Sequence, residues 1–175
     1  MIIFPEQRFP SAGSRTDQKF FADRGDRPLT LRVATEADLP ELLRVDKDAF
    51  PEDPYPPFIL RQLIEIHVDR TLVLDDGEGL LGYVFFVNTS DGYVSWIMSL
   101  AIIPHQRGHG LGRRLMVEVL RRLRTEGVRQ VRLTVEPANT AAITLYRTLG
   151  FSSEDGVAKD YFGPGEHRLL MTLAL

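Results

Sequence analysis

SLAIIPHQRGHGLGRR, residues Ser99 to Arg114, runs from an apolar strand-like segment through a glycine-studded turn into a cationic helix start. Gly108, Gly110 and Gly112 stand at alternate positions, so no side chain keeps a ligand away from the backbone there. A helix opening at this point presents free N–H groups and the positive end of its dipole. That combination suits an anion, phosphate above all. A glycine-rich strand-to-helix connection without a ligand would carry the same glycines. Spacing separates the kinds of phosphate loop. A P-loop needs Lys and then Ser or Thr after its last glycine, whereas Arg113 and Arg114 stand there. A dinucleotide fingerprint reads GxGxxG with an acidic residue on a second strand; Glu136 lies at a workable distance, but the glycines here read GxGxG.

A second stretch, NTAAITLYRTLGF from Asn139 to Phe151, stands one helix and one strand further on. Asn139 is a sound helix N-cap, and Pro137 keeps the incoming chain extended. Ala142, Ile143, Tyr146 and Leu149 share one helical stripe, and Gly150 supplies a left-handed stop. Together the two stretches resemble the GCN5-related N-acetyltransferase (GNAT) superfamily. Its pyrophosphate loop, Arg/Gln-x-x-Gly-x-Gly/Ala, is matched by Arg107, Gly110 and Gly112, and its Asn-x-x-Ala-x-x-Leu-Tyr-x-x-x-Gly-Phe signature by Asn139 to Phe151.

The elements around these motifs agree with such a fold. A strand is expected over Leu29–Val33 and a helix from the Thr35/Asp38 cap to about Phe50. The four prolines of Pro51–Pro57 interrupt the chain before a helix over Phe58–Val68. Strands follow at about Thr71–Leu74, Leu80–Val87 and Tyr93–Ile103, joined at the turns Asp76-Gly77 and Asp91-Gly92. The glycine loop opens a helix to about Glu126 with Leu111, Leu115, Val119 and Leu123 as its core stripe, and Val128–Val135 alternates as a strand. Beyond the Asn139 helix, strands are expected over Ser152–Tyr161 and His167–Leu173, joined by Gly163-Pro164-Gly165. The reading is α/β: a single GNAT-type domain over 29–175, a mixed central sheet of about seven strands with splayed central strands, and about four flanking helices. Residues 1–28, polar and without periodicity, read as a flexible N-terminal arm, with Phe20 and Phe21 able to tack it to the domain.

The resemblance implies transfer of an acetyl group from acetyl-CoA to a primary amine by direct attack. The pyrophosphate would lie on Arg107, Gly108, His109, Gly110, Leu111, Gly112 and Arg113, and the acetyl and pantetheine portion along the backbone of Leu100, Ala101 and Ile102. Asn139 would touch the coenzyme arm. Tyr146 would protonate the departing sulfur, a task suited to a phenol whose ordinary pKa lies near 10. The subgroup nearest in outline is the RimI-like Nα-acetyltransferases, whose tail pattern is followed by Tyr161, Phe162, Gly165, Glu166, Met171 and Leu173. Those enzymes carry Glu or His five residues before the motif asparagine, where this chain has Thr134; histone-type relatives use a strand carboxylate where this chain has Trp96. Either a base is recruited elsewhere (Glu136, His105 or an ordered water), or the amine arrives neutral and positioning supplies the rate. Tyr55, Trp96, Thr134 and Tyr161 are the candidate acceptor-site residues. The acceptor is a peptide N-terminus or a small-molecule amine. A non-catalytic acyl-CoA sensor or interaction module is the alternative, which the retained Tyr146 argues against.

Bulk properties narrow the classes further. At 175 residues the chain has room for one well-buried core, and 43% hydrophobic with 26% charged residues is the balance of a globular protein. With no cysteine, disulfides, thiolate catalysis and zinc–thiolate sites are excluded, and the four histidines lack ligand spacing, so no metal is expected. A net charge of −3 speaks against nucleic acid and anionic membrane as partners; Arg113, Arg114, Arg121, Arg122 and Arg124 read mostly as a solvated helix face, the first two also able to meet the phosphates of a coenzyme. The start, MIIFPEQRF, is neither a signal peptide nor a membrane span, and a cytoplasmic location is expected. The resemblance also implies a homodimer, since exposed terminal strands in that fold often pair between subunits.

Overall fold

Strand alternation is absent from Leu80–Asn88 because this strand is covered on both faces, whereas Gln130–Val135 alternates because one of its faces is left open. That contrast organises the molecule. The computed structural model describes residues 19–22, 28–153 and 156–175. The strands are β1 (Lys19–Ala22), β2 (Pro28–Val33), β3 (Thr71–Asp75), β4 (Leu80–Asn88), β5 (Val94–Ile102), β6 (Gln130–Val135), β7 (Val157–Ala158) and β8 (Arg168–Ala174). The helices are α1 (Leu39–Ala49), α2 (Pro57–Ile66), α3 (Leu111–Thr125) and α4 (Thr140–Thr148). All strands join one sheet in the order β1-β2-β3-β4-β5-β6-β8-β7, antiparallel except for the β5–β6 pair. The mixed α/β class and the helices stand as read.

Three boundaries differ from the sequence reading. β1 pairs with β2 inside the stretch read as an arm, and β2 begins at Pro28; this adds an eighth strand at the sheet edge. Residues 1–18 and 23–27 of that arm, and the side chains of Phe20 and Phe21, lie outside the described residues. The strand expected over Ser152–Tyr161 shrinks to Val157–Ala158 plus a single bridge from Ser152 to Thr172. Gly156 takes a positive φ of 67° and breaks the run of extended backbone. Arg122 is not solvated: with Arg121 it folds onto the buried carboxylate of Glu118, at 3.1 and 2.7 Å.

The α3 stripe behaves as its spacing demands, with Leu111, Leu115, Val119 and Leu123 buried. α3 packs on β3, β4 and β5, while α1 packs on β4 and β5. The cross-strand register assigns the faces. Tyr83 bonds to α1, and its partner Ala101 therefore faces α1; Val84 pairs with Leu100, which faces the start of α3. Beyond the helices' cover, one face of β5 and β6 (Ser95, Ile97, Val131, Leu133, Val135) is buried, and the other (Trp96, Arg132, Thr134) is half-buried.

At the entry to α1 the expected cap is present in a stronger form. The Asp38 carboxylate accepts the Thr35 N–H at 2.7 Å and hydroxyl at 2.9 Å, ahead of a turn of 3₁₀ helix over Glu36–Asp38. It also takes both Nη atoms of Arg32 at 2.7 Å, and Arg32 reaches Asp75 of β3 at 2.8 Å. Burial opposes the charge on Asp38, yet the bonds from Arg32 and Thr35 hold its carboxyl below the ordinary 3.8. Arg32→Ala strands two facing carboxylates and is expected to cost about 2 kcal/mol at neutral pH. The native contribution is complete above the ordinary carboxylate pKa and is lost as pH falls through the depressed one. Urea titrations of wild type and variant should therefore converge below about pH 4.

Candidate active site

β5 and β6 pair only through Val94–Ile97 and Gln130–Leu133. β5 then continues to Ile102 and β6 to Val135 without further pairing between them, so the sheet opens at the carboxyl ends of its two parallel strands. A register shift between Phe85 and Phe86 leaves Met98 as an extra residue on β5 at the start of the opening. The Ile103 N–H bonds to the Leu81 carbonyl on the β4 side. Alternation along the strand then turns the N–H groups of Leu100 and Ile102 the other way, toward the gap that β6 has left.

Leu100, Ala101 and Ile102 lead into the glycine loop. Gly108 and Gly110 have φ of 81° and 78°, a left-handed backbone in which a side chain would be strained. Gly110 is the N-cap of α3. The N–H groups of Gly108, His109, Gly110, Leu111, Gly112 and Arg113 have no acceptor among the described residues. The bare run begins at Gly108 and not at Arg107, whose N–H bonds to the Pro104 carbonyl at 3.2 Å. The Arg107 guanidinium is also engaged, on the carbonyls of Ile102 and Ala49 at 3.1 Å each, so it braces the loop against β5 and α1.

The first turn of α3 lies against α4. A Cβ at Gly112 would sit 3.4 Å from Leu145 Cδ2, and Arg113 Nη1 reaches Thr148 Oγ1 at 3.4 Å. This brings the loop to the helix that carries Tyr146. Tyr146 is only 7% exposed, its ring lies 5.8 Å from that of Phe151, and its hydroxyl has no hydrogen-bond partner among the described residues. Burial pushes the phenol up to about 12. Asn139 accepts the Ala142 N–H at 3.1 Å through Oδ1, leaving its side-chain NH₂ unengaged among the described residues.

Of the candidate acceptor residues, Tyr55, Trp96 and Thr134 lie along β5 and β6 beside the opening, and Tyr161 stands in the turn before β8. Tyr55 reaches across from the α1–α2 loop, its hydroxyl 3.5 Å from the Met98 carbonyl. Burial, with Asp46 and Asp53 nearby, raises its pKa. Trp96 and Thr134 lie on the open face of β5 and β6. Tyr161 is exposed in the turn before β8, edge-on to Phe162 at 4.8 Å. Glu136 and His105, the alternative bases, are both exposed.

One cluster escaped the sequence reading. Asp46 is 1% exposed and Tyr83 0%, and the Tyr83 hydroxyl donates to Asp46 Oδ1 at 2.5 Å. The buried Ser99 hydroxyl lies 3.0 Å from the same phenol oxygen. Asp46 Oδ2 accepts the Tyr55 N–H at 2.6 Å. Burial, then the Asp46 charge, drive the Tyr83 pKa far upward, so this phenol stays protonated. The group fastens the α1–α2 loop to β4 and β5 beside the bulge. A carboxylate on the α1 stripe Leu42, Val45, Asp46, Ala49 was the available signal.

A family model described as the Acetyltransferase (GNAT) family matches residues 37–151, both motifs and the opened sheet included. The chain belongs to the GNAT acetyltransferase family. The GNAT region is similar to mycothiol acetyltransferase of Thermobispora bispora, 44% identical over 63 residues. That match covers 36% of this chain and 21% of the relative, so the likeness spans about a fifth of that protein's length. It is similar at greater length to the N-alpha-acetyltransferase RimI of Mycobacterium tuberculosis, 28% identical over 138 residues, covering 77% of this chain and 85% of the relative. The crystal structure of a ribosomal-protein-alanine N-acetyltransferase from Brucella melitensis superposes with a TM-score of 0.73 at 27% identity, over 83% of this chain and 99% of that one. Among the described residues no helix is long and apolar enough to cross a membrane, and no group of His, Asp and Glu is arranged to hold a metal ion.

Replacing Asp46 by Ala leaves the Tyr83 hydroxyl and the Tyr55 N–H without their acceptor in a water-poor site. The expected loss is about 3 kcal/mol of stability, against about 2 kcal/mol for Tyr83→Phe, which leaves the buried Asp46 Oδ1 without its donor while Oδ2 keeps the Tyr55 N–H. Urea midpoints of the two variants check the order.

Proposed function

We propose that this GNAT chain is an acetyl-CoA-dependent N-acetyltransferase acting on a primary amine, a peptide or protein N-terminus or a small-molecule amine. The observation that carries the reading is the run of N–H groups from Gly108 through Arg113, at the start of α3, that have no acceptor among the described residues. Such a run matches a pyrophosphate in charge and in hydrogen-bond demand. A Cβ built at Gly108 or Gly110 meets nothing within 4 Å, so the approach to these amides is clear. His109, Leu111, Gly112 and Arg113 complete the cradle, and Arg107 holds its shape from behind.

Acetyl-CoA supplies an activated acyl group, and the remaining tasks fall to the chain. Leu100, Ala101 and Ile102 offer the free strand edge along which the pantetheine lies, with the Leu100 N–H polarising the acyl carbonyl. Asn139 gives its side-chain NH₂ to the same arm. Tyr146 donates its proton to the departing sulfur; a phenol near 12 is fully protonated at neutral pH. Tyr55, Trp96 and Thr134 wall the acceptor amine, with Tyr161 at the periphery. None of the three walls is a strong base, so the amine enters neutral and orientation supplies the rate. That requirement favours α-amino groups, with ordinary pKa values near 8, over lysine side chains near 10.4. The likeness to an N-alpha-acetyltransferase supports the same choice.

The absence of Glu or His at Thr134 and of a carboxylate at Trp96 favours a second reading, a sensor that binds acetyl-CoA without turning it over. Incubation with acetyl-CoA and a panel of amines and peptides is expected to release free thiol and give acetylated product by mass spectrometry. Tight binding with no thiol released across the panel would establish the sensor instead. Tyr146→Phe is expected to lower kcat about 100-fold or more while acetyl-CoA affinity stays within a factor of about two. Because Tyr146 keeps its proton to about pH 12, kcat should show no alkaline fall between about pH 8 and 10. A kcat halved within that range, on protein still folded by circular dichroism, would remove Tyr146 as the acid.

A further inference from the structure

Most half-buried arginines of this fold are matched by carboxylates. Arg32 holds Asp38 and Asp75, Arg44 holds Glu41 and Asp48, Arg70 holds Glu126, Arg122 holds Glu118 and Arg168 holds Glu166. Arg132, equally half-buried, differs. Its only hydrogen bond is from Nε to the amide oxygen of Gln130 at 2.7 Å, and neither Nη atom has a partner among the described residues. A partly desolvated guanidinium without a counter-ion is a poor structural element and a good anion receptor.

Its placement says which anion. Arg132 pairs across β5–β6 with Trp96, and its guanidinium carbon lies 5.9 Å from that ring's centroid. It shares the open face of β6 with Thr134, two residues along the strand, or about 7 Å at ordinary strand rise. Both positions at which the family's bases would stand therefore border a cation. On β8, Thr172 and Leu170 lie opposite Arg132 and Thr134, so no acid stands at the paired positions. We propose that Arg132 binds a carboxylate of the acceptor, so that the preferred substrate is an amine carrying a carboxylate within a few bonds: a free amino acid or an acidic peptide N-terminus. This rests on the acetyltransfer reading above. The same cation disfavours a positive charge on the incoming amine and helps it enter neutral, which is what a site without a base requires.

The test compares near-isosteric acceptor pairs on the full chain by thiol release: a free amino acid against its α-amide (alanine against alaninamide), and C-terminally amidated peptides beginning Asp-Ala against Asn-Ala. In the wild type, kcat/KM is expected to favour the acid of at least one pair by about 10- to 100-fold, mainly through KM, and to lose that preference as salt rises. The pair that shows it identifies free amino acid or peptide as the source of the carboxylate. Arg132→Gln should bring the acid-to-amide ratio close to one, Arg132→Lys should keep part of it, and Arg132→Glu should shift preference toward acceptors bearing a second amine. Turnover with acid-to-amide ratios near one in the wild type overturns the proposal. So does an Arg132→Gln variant that loses all acceptors in proportion together with melting temperature, which would make Arg132 a structural residue. No turnover with any acceptor, with acetyl-CoA still bound, counts instead against the acetyltransfer reading itself.

Discussion

The two parallel central strands stop pairing after Ile97 and Leu133, and the rest of the site depends on this. A strand edge inside a protein exposes amides and carbonyls that must find partners. Here the edge of Leu100–Ile102 is left free on one side while β4 satisfies it on the other. The extra residue Met98 and the Arg107 bonds to Ile102 and Ala49 fix where the opening begins and ends. α3 and α4 both start from this end of the sheet, so one helix N-terminus and one phenol-bearing helix meet at the same gap. The opening is an unpaired surface ready for an extended ligand arm.

Around it the chain distributes charge unevenly. The α1 side carries a sequestered carboxylate, Asp46, fully occupied by the Tyr83 hydroxyl and the Tyr55 N–H. Its role is to hold the α1–α2 loop over β5, since a network this deep in the core is costly unless every member is satisfied. The open side carries the reverse, the Arg132 guanidinium, which has no carboxylate partner among the described residues. A buried acid with its bonds filled thus contrasts with a half-buried guanidinium whose one hydrogen bond among the described residues is to Gln130.

The two glycine-bearing motifs were legible because they encode local backbone states: left-handed φ at Gly108, Gly110 and Gly150 is a property of those residues themselves. The α3 stripe was legible for a similar reason, since a four-residue repeat of Leu and Val leaves one way to bury a helix. Harder features involve choices between partners. β1 lies where composition looked polar and aperiodic, because an edge strand needs only backbone bonds to its neighbour. The segment after Ser152 was read as a strand from its flanks, but Gly156 and the turn beyond it leave only two residues paired. Arg122 looked like a solvated cation until the packing of α3 placed Glu118 beneath it.

By itself the sequence determined the order of elements from β2 onward, the glycine loop, the capped tyrosine helix and the residue types Thr134 and Trp96, because each is written in residue type and short spacing. Only the tertiary structure decided that Arg107 is a brace with its amide already taken, and that the buried Tyr146 hydroxyl has no hydrogen-bond partner among the described residues. The juxtapositions of Asp46 with Tyr83 and Ser99, and of Arg132 with Trp96, are likewise tertiary. In these last juxtapositions the contacting residues stand 16 to 37 positions apart, brought together by sheet register and helix packing. No local pattern specifies such pairs; the burial of a whole core does.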